Sequence, residues 1–280
     1  MQSLIVFVSI ADMLFADSRC ELQIFATSDR VRLTIVIREI SANELEQFGR
    51  LEVGLTRPLL IRNETITSRA NSLRLAYVSD LHLRRKRSMH LCQQILDACQ
   101  TAQPDVIVLG GDYVDQRSEL AIFGDLCKQL NSIAPVMAIA GNHDVSIGLD
   151  RIRKTIESGN GVWIEEGVNS IEHDGRVFAL AGPKHVREIN ADVRILCGHN
   201  PRIWKKAKHR GYDLVLAGHL HGCQWVSFSY RDRLYPGAWF YPYCYLSHQV
   251  ASSRLIVSRG VSDLIPIRWN CPREIVVCSV

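Results

Sequence analysis

The chain has 280 residues, 47% of them hydrophobic and 22% charged, with a formal net charge of +4. That length and apolar fraction exclude a disordered or fibrous chain and admit one large α/β domain or two small ones. The charge is too modest to mark a nucleic-acid binder, and nine cysteines at irregular spacing read as free thiols in a reducing compartment, not as a disulfide framework.

Leu4 to Ala16 is apolar but contains Asp12, follows no lysine or arginine, and is shorter than a membrane span. It reads as a packed strand or helix, or as a monotopic surface contact. A signal peptide is the alternative, matched in apolar length but lacking the charged start. Arg32 to Arg38 predicts a strand and Glu44 to Phe48 a short helix. Residues 1–50 are set apart as an N-terminal segment without an assigned role, and residues 51–280 as the main domain. Leu51 to Ile61 reads as an edge strand, because Pro58 has no N–H for a ladder.

Five apolar runs then each end in Asp, Asn or His. Leu73 to Val78 leads into Asp80 and His82, and Val106 to Leu109 into Gly110-Gly111-Asp112. Pro135 to Ala140 leads into Gly141-Asn142-His143-Asp144, Val193 to Cys197 into His199, and Leu214 to Ala217 into His219 and His221. Between them lie helical patterns. Ser88 is read as the cap of a helix whose Leu91, Ile95, Ala98 and Ala102 share one face, ended by Pro104. Ser118 to Leu130 repeats the pattern, and Asp150 to Ser158 reads as another helix. Short strands are expected around Val162 to Ile164 and over Arg176 to Ala181, and Pro201 opens a helix to about Arg210. Strand, motif, helix, strand is the rhythm of a partly parallel sheet.

Beyond Gly222, aromatic residues crowd Trp225 to Tyr245. A hairpin layer packing the sheet accounts for them. An amphipathic flap beside the site, receiving a lipid or nucleobase, is the other reading.

Ligands of open α/β sheets sit outside the carboxyl ends of the strands, so Asp80, His82, Asp112, Asn142, His199, His219 and His221 can converge. Seven oxygen and imidazole donors are too many for one catalytic zinc with its three protein ligands, and they suit two cations that share a carboxylate. Nitrogen and oxygen donors without a thiolate favour manganese, iron, zinc or magnesium.

In order, the motifs are Asp-x-His at 80–82, Gly-Asp-x-x-Asp at 111–115, Gly-Asn-His-Asp at 141–144, Gly-His at 198–199 and Gly-His-x-His at 218–221. Together they resemble the calcineurin-like metallophosphoesterases, densely from Leu73 to Gly222 and more weakly through Val257 to Gly260 and Ile265 to Arg268. The resemblance implies an α/β fold for residues 51–280, a layered metallophosphoesterase sandwich of mixed β-sheets flanked by helices. It implies one metal held by Asp80, His82, Asp112 and His221, and another by Asp112, Asn142, His199 and His219. A hydroxide bridging the two ions would attack a phosphoester or pyrophosphate bond. His143 would serve the leaving oxygen as the catalytic histidine, with Asp115 orienting it and Asp144 the rival for that task.

Some positions depart from relatives. Gln116 stands where the protein Ser/Thr phosphatases have arginine, which argues against phosphoproteins, and Cys223 stands where relatives often have glycine. The C-terminal stretches look like the bacterial single-domain branch, which includes envelope-associated phosphodiesterases and UDP-2,3-diacylglucosamine pyrophosphatases of lipid A synthesis. Expected partners are therefore a phosphorylated small molecule or a nucleotide lipid, with peripheral membrane contact and without nucleic acid. The expected compartment is the cytoplasm, at the inner-membrane face. Arg84 and Arg85, in the basic run after His82, are expected to grip a substrate phosphate; Lys184 and His185 form a second basic loop. A non-catalytic scaffold would predict lost ligands, and none of the seven is lost.

Overall fold

The computed structural model describes residues 20–25, 34–39, 51–67, 71–185 and 189–280. Two compact units divide the chain, residues 1–50 and 51–280. In the first, strands Cys20–Phe25 and Thr34–Glu39 pair antiparallel, from Cys20 opposite Glu39 to Phe25 opposite Thr34. The apolar stretch Leu4 to Ala16 and the helix expected at Glu44 to Phe48 lie outside the described residues.

The second unit is built on two six-stranded sheets. The first runs in the order Leu60–Thr65, Glu274–Ser279, Arg74–Val78, Val106–Leu109, Val136–Ala138 and Val162–Trp163; Glu274–Ser279 runs antiparallel to Arg74–Val78, and the other neighbours are parallel. In the second sheet Arg176–Ala181, Val193–Cys197, Leu214–Ala217 and Ser253–Val257 are mutually parallel, with antiparallel edges Val168–His173 and Ser247–Val250.

Side-chain alternation sorts the layers. Leu75, Tyr77, Val106 and Val108 meet Phe178, Leu180, Ile195 and Leu216 in a core between the sheets. The opposite face of the first sheet, with Ala76, Val78, Ile107 and Leu109, packs on helices Ser88–Ala102, Leu120–Ile133 and Leu149–Ser158. On the outer face of the second sheet, Leu196, Val215 and Leu255 carry Trp204 and Ala207 of the short helix Trp204–Ala207. The result is the layered α/β sandwich of mixed sheets flanked by helices.

Several local expectations come out differently. Ser88 lies inside the helix and gives its hydroxyl hydrogen to Glu119 Oε2 at 2.6 Å, so it caps nothing. Leu51 to Ile61 is not one strand: Leu51–Val53 pairs with Ile267–Trp269, and after Pro58 the chain resumes as the edge strand Leu60–Thr65. The helix opened by Pro201 ends at Ala207, and Val168–His173 is an edge strand with no forecast. The aromatic stretch supplies the hairpin Val226–Tyr230 and Arg233–Pro236, followed by the short helix Gly237–Phe240.

Candidate metal centre

The motif loops leave their strands at the carboxyl ends, three from the first sheet and two from the second. The first two loops stay zipped after the strands stop, with Asp80 N donating to Gly111 O at 3.0 Å and His82 N to Asp112 O at 2.9 Å. Asp80, His82, Asp112, His219 and His221 all have positive φ, between 43° and 72°. Each such residue costs roughly 1–3 kcal/mol and persists where its surroundings over-determine it. Two glycines permit the close approach: a side chain on Gly141 would meet the Asp112 carboxylate, and one on Gly218 would meet Ser79 and Asp80.

The side chains converge in two groups, linked by a third trio. Asp80, His82 and His221 bring one donor atom each within 4.8 Å of one another, Asp112, His199 and His219 do the same, and His82, Asp112 and His143 form the trio between them. Asp112 Oδ2 stands between the groups, 3.1 Å from His199 Nε2 and 3.7 Å from His82 Nε2. Asn142 Oδ1 faces His199 Nε2 at 3.1 Å and so joins the second group. His221 Nε2 is 3.3 Å from His82 Nε2, and His219 Nδ1 is 3.2 Å from His199 Nε2. Paired imidazole nitrogens at that spacing share a proton or a cation.

Three of these rings are fixed from behind. His82 Nδ1 is 2.8 Å from Asp115 Oδ1, His199 Nδ1 is 2.8 Å from Gly110 O and His221 Nδ1 is 3.0 Å from Ser262 O. A proton held on each Nδ1 leaves the Nε2 lone pair pointing into the site, the arrangement that orients metal-ligating histidines. Burial pushes the Asp112 carboxyl up, but His199 and the His143 backbone N–H outweigh it and hold the group at about 2. Burial lowers His199, yet hydrogen bonding to Asp112 and the charge of Asp80 bring it to about 9. His221 falls to about 4, because burial and Arg268 outweigh Asp80. Among the described residues, Asp80 and Asp112 have histidines but no lysine or arginine as ion-pair partners. Two buried, ionised carboxylates ringed by inward-facing nitrogens fit divalent cations by chemistry and by charge.

The remaining expected residues are distributed around this centre. His143 is exposed, its backbone N–H bonds Asp112 Oδ1 at 2.8 Å, and its ring lies edge-on to His82 at 4.7 Å. Asp115 Oδ1 is 3.6 Å from His143 Nδ1, so its hydrogen bond goes to His82 and not to the histidine it was expected to orient. Asp144, the rival, is wholly buried and accepts N–H groups from Asp112, Tyr113 and Gly141, which pins two motif loops together. Arg84 donates to the Asp263 and Leu264 carbonyls and lies 3.8 Å from Asp115 Oδ2, while Arg85 is exposed. Lys184 is engaged by Glu165 and Glu166, and Cys223 Sγ faces Cys244 Sγ at 3.7 Å outside both donor groups. The eight cysteines within residues 51–280 are free.

Two supporting roles carried no local signal in the sequence. Asp144, singled out as a partner for His143, acts through backbone amides. Ser262 O is held by Arg268, which donates to Ser262 O and Arg259 O and pairs with Asp263 at 2.5 Å. A cleft of about 130 Å³ adjoins His219, lined by Asn200, Arg202, Leu220, Tyr241 and Tyr243.

A sandwich that gathers this donor set at one rim defines a class, and the family model agrees: the chain belongs to the calcineurin-like phosphoesterase family, matched over residues 73–223. It is a metal-dependent phosphohydrolase. The chain is similar to phosphodiesterase YaeI of Escherichia coli strain K12, with 28% identity over 243 residues, 79% of this chain and 87% of that protein. It is also similar to the uncharacterized protein YpbG of Bacillus subtilis strain 168, with 23% identity over 166 residues, 54% of this chain; it spans only 62% of that relative's length. Among solved structures, a dimetal phosphatase from Danio rerio is similar at 10% identity and a TM-score of 0.44, over 70% of this chain and 90% of that one. Among the described residues no helix is long and apolar enough to cross a membrane.

Proposed function

We propose that the two donor groups bind two divalent cations sharing Asp112, and that the protein hydrolyses a phosphodiester or pyrophosphate bond there. The observation that carries this reading is the single oxygen Asp112 Oδ2 facing His199 in one group and His82 in the other. Bound cations would supply Lewis acidity at phosphorus and a lowered pKa for the attacking water. The other tasks fall to the chain. His143, anchored through its backbone to Asp112 and open to solvent, gives a proton to the leaving oxygen. Asp115 holds His82 in its tautomer. The cleft beside His219, walled by Tyr241 and Tyr243, receives the group attached to phosphorus.

The finer reading of the substrate is an anionic nucleotide lipid, UDP-2,3-diacylglucosamine in lipid A synthesis, acted on at the cytoplasmic face of a membrane. Aromatic side chains beside the donor set support it. A broader specificity for simple diesters is the second reading, favoured by the phosphodiesterase name of the E. coli relative.

Purification without added metal, elemental analysis, and hydrolysis assays with manganese, iron, zinc and magnesium test these readings. Two ions per chain and metal-dependent cleavage of a generic diester are expected. A single ion that survives Asp112→Asn would end the shared-carboxylate model. Cleavage of bis(p-nitrophenyl) phosphate without any cleavage of the nucleotide lipid selects the broader specificity.

A further inference from the structure

Strands Leu51–Val53 and Ile267–Trp269 pair antiparallel, with Val53 opposite Ile267 and Leu51 opposite Trp269. In each strand the middle residue is a buried charge: Glu52 is paired with Arg273, and Arg268 with Asp263. The flanking residues are apolar and face out, with Leu51, Val53 and Ile267 exposed by 52%, 53% and 44%. A ribbon half-covered by protein ordinarily turns its apolar side chains inward and its charges to water. This one is inverted.

The apolar surface continues beyond the ribbon. The Gln224 side chain bonds the backbone of Leu264, Ile265 and Ile267, and this fixes a segment whose Leu264 and Ile265 side chains are 49% and 61% exposed. Trp225, half exposed, stacks on Trp269 at 5.6 Å. A lone exposed leucine is ordinary, but a contiguous set held by a rigid backbone marks an interaction surface.

Charge identifies the occupant. Arg84 is bonded to the Asp263 and Leu264 carbonyls, Arg87 Nη2 lies 3.7 Å from Asp263 Oδ2, and Arg85 between them is exposed. Of the acids at this corner, Glu52 and Asp263 are buried and paired with arginines, and the partly exposed Asp115 lies beside Arg84, which leaves Arg85 without an acidic partner in the ion pairs of the described residues. The edge of the apolar face is therefore cationic. Tryptophan and aliphatic side chains rimmed by arginine are what a boundary of acyl chains and anionic headgroups selects.

We propose that this face docks on an anionic lipid surface, with Trp225, Leu264, Ile265 and Ile267 entering the headgroup layer and the arginines meeting lipid phosphates. Arg84 Nη1 also lies 3.8 Å from Asp115 Oδ2, so the docked edge borders the metal centre. Substrate phosphoesters presented at the membrane–water boundary would then reach the site without leaving it; this last step rests on the hydrolase reading, and docking itself does not.

The test is sedimentation of the purified full chain with vesicles of phosphatidylcholine, alone or mixed with phosphatidylglycerol. Wild type is expected to pellet with the anionic vesicles, and less so as salt shortens the reach of the arginines. Ile265→Glu and Ile267→Glu are each expected to weaken partitioning by roughly tenfold or more, the factor that burial of one isoleucine supplies. Arg85→Glu should weaken it by at least about fivefold. All three should retain wild-type circular dichroism, and the two isoleucine variants also metal-dependent hydrolysis of bis(p-nitrophenyl) phosphate. No vesicle binding by wild type, or binding that the substitutions leave unchanged, overturns the proposal. So does a wild-type dimer that the same glutamates dissociate, since a second copy would then be the occupant. Vesicle binding without hydrolysis supports docking and removes the hydrolase reading alone.

Discussion

Asp115 Oδ1 lies 2.8 Å from Nδ1 of His82, which ties a carboxylate on the loop after one strand to a candidate-ligand ring on the loop after the neighbouring strand. Replacing Asp115 by Asn is therefore expected to act on metal affinity, and loss of such an outer partner costs roughly tenfold to a hundredfold. Metal titration of the purified variant checks this. If Asp115→Asn instead binds metal normally and loses only turnover, its partner in function is His143.

His143→Ala should give the opposite pattern. Its ring forms a trio with His82 and Asp112 but lies outside the two donor groups proposed to hold the ions, so metal content is expected to stay at the wild-type level. Loss of a proton donor costs about a hundredfold to ten-thousandfold in kcat. Normal turnover in the variant would remove His143 from the mechanism.

A third prediction concerns acid stability. Glu274 is wholly buried, with Arg62 Nε 3.1 Å from Oε1 and Arg259 Nε 2.9 Å from Oε2. Burial pushes its carboxyl up, but the two arginines outweigh that and hold it at about 2, against an ordinary 4.5. Because the folded value lies below the unfolded one, the stability it contributes is complete above about pH 4.5 and is lost as the pH falls towards 2. Glu274→Gln should be less stable at neutral pH and should show a flatter decline through that acid window. Urea unfolding over the range measures both, and parallel declines would dismiss the assignment.

Arg268→Met should leave buried Asp263 with only the more distant Arg87, 3.7 Å away, as counter-ion, a change that costs up to about 3–5 kcal/mol. The same variant releases Ser262 O, the acceptor for His221 Nδ1, so metal affinity should fall along with the urea midpoint. A stability loss with unaltered affinity would show that Ser262 holds its place without the arginine.

The donor set was legible because each donor follows an apolar run and a tight turn, a pattern that survives in one dimension. Its supports were not. Asp144 works through amides more than thirty positions away in part, at Asp112, and Ser262 contributes a carbonyl to a ring 41 positions before it. No side-chain pattern records a carbonyl acceptor. Asp115 was assigned to His143, whose Nδ1 lies 3.6 Å from it, but its shorter contact with His82 was not legible, because only the zipped loops 80–83 and 111–115 bring the two together. The inverted ribbon was hidden for a related reason. Alternation in Leu51-Glu52-Val53 and Ile267-Arg268-Trp269 fixes which residues share a face, but which face is buried depends on Asp263 and Arg273, which lie outside both strands.

The candidate ligands are drawn from both halves of the sandwich: Asp80, His82, Asp112 and Asn142 from one sheet, His199, His219 and His221 from the other. Ions bound there would rivet the two sheets at a rim where the apolar core has already ended. Chelation should then lower the melting temperature of the whole unit as well as silence it, and a thermal melt would report occupancy before any substrate is known.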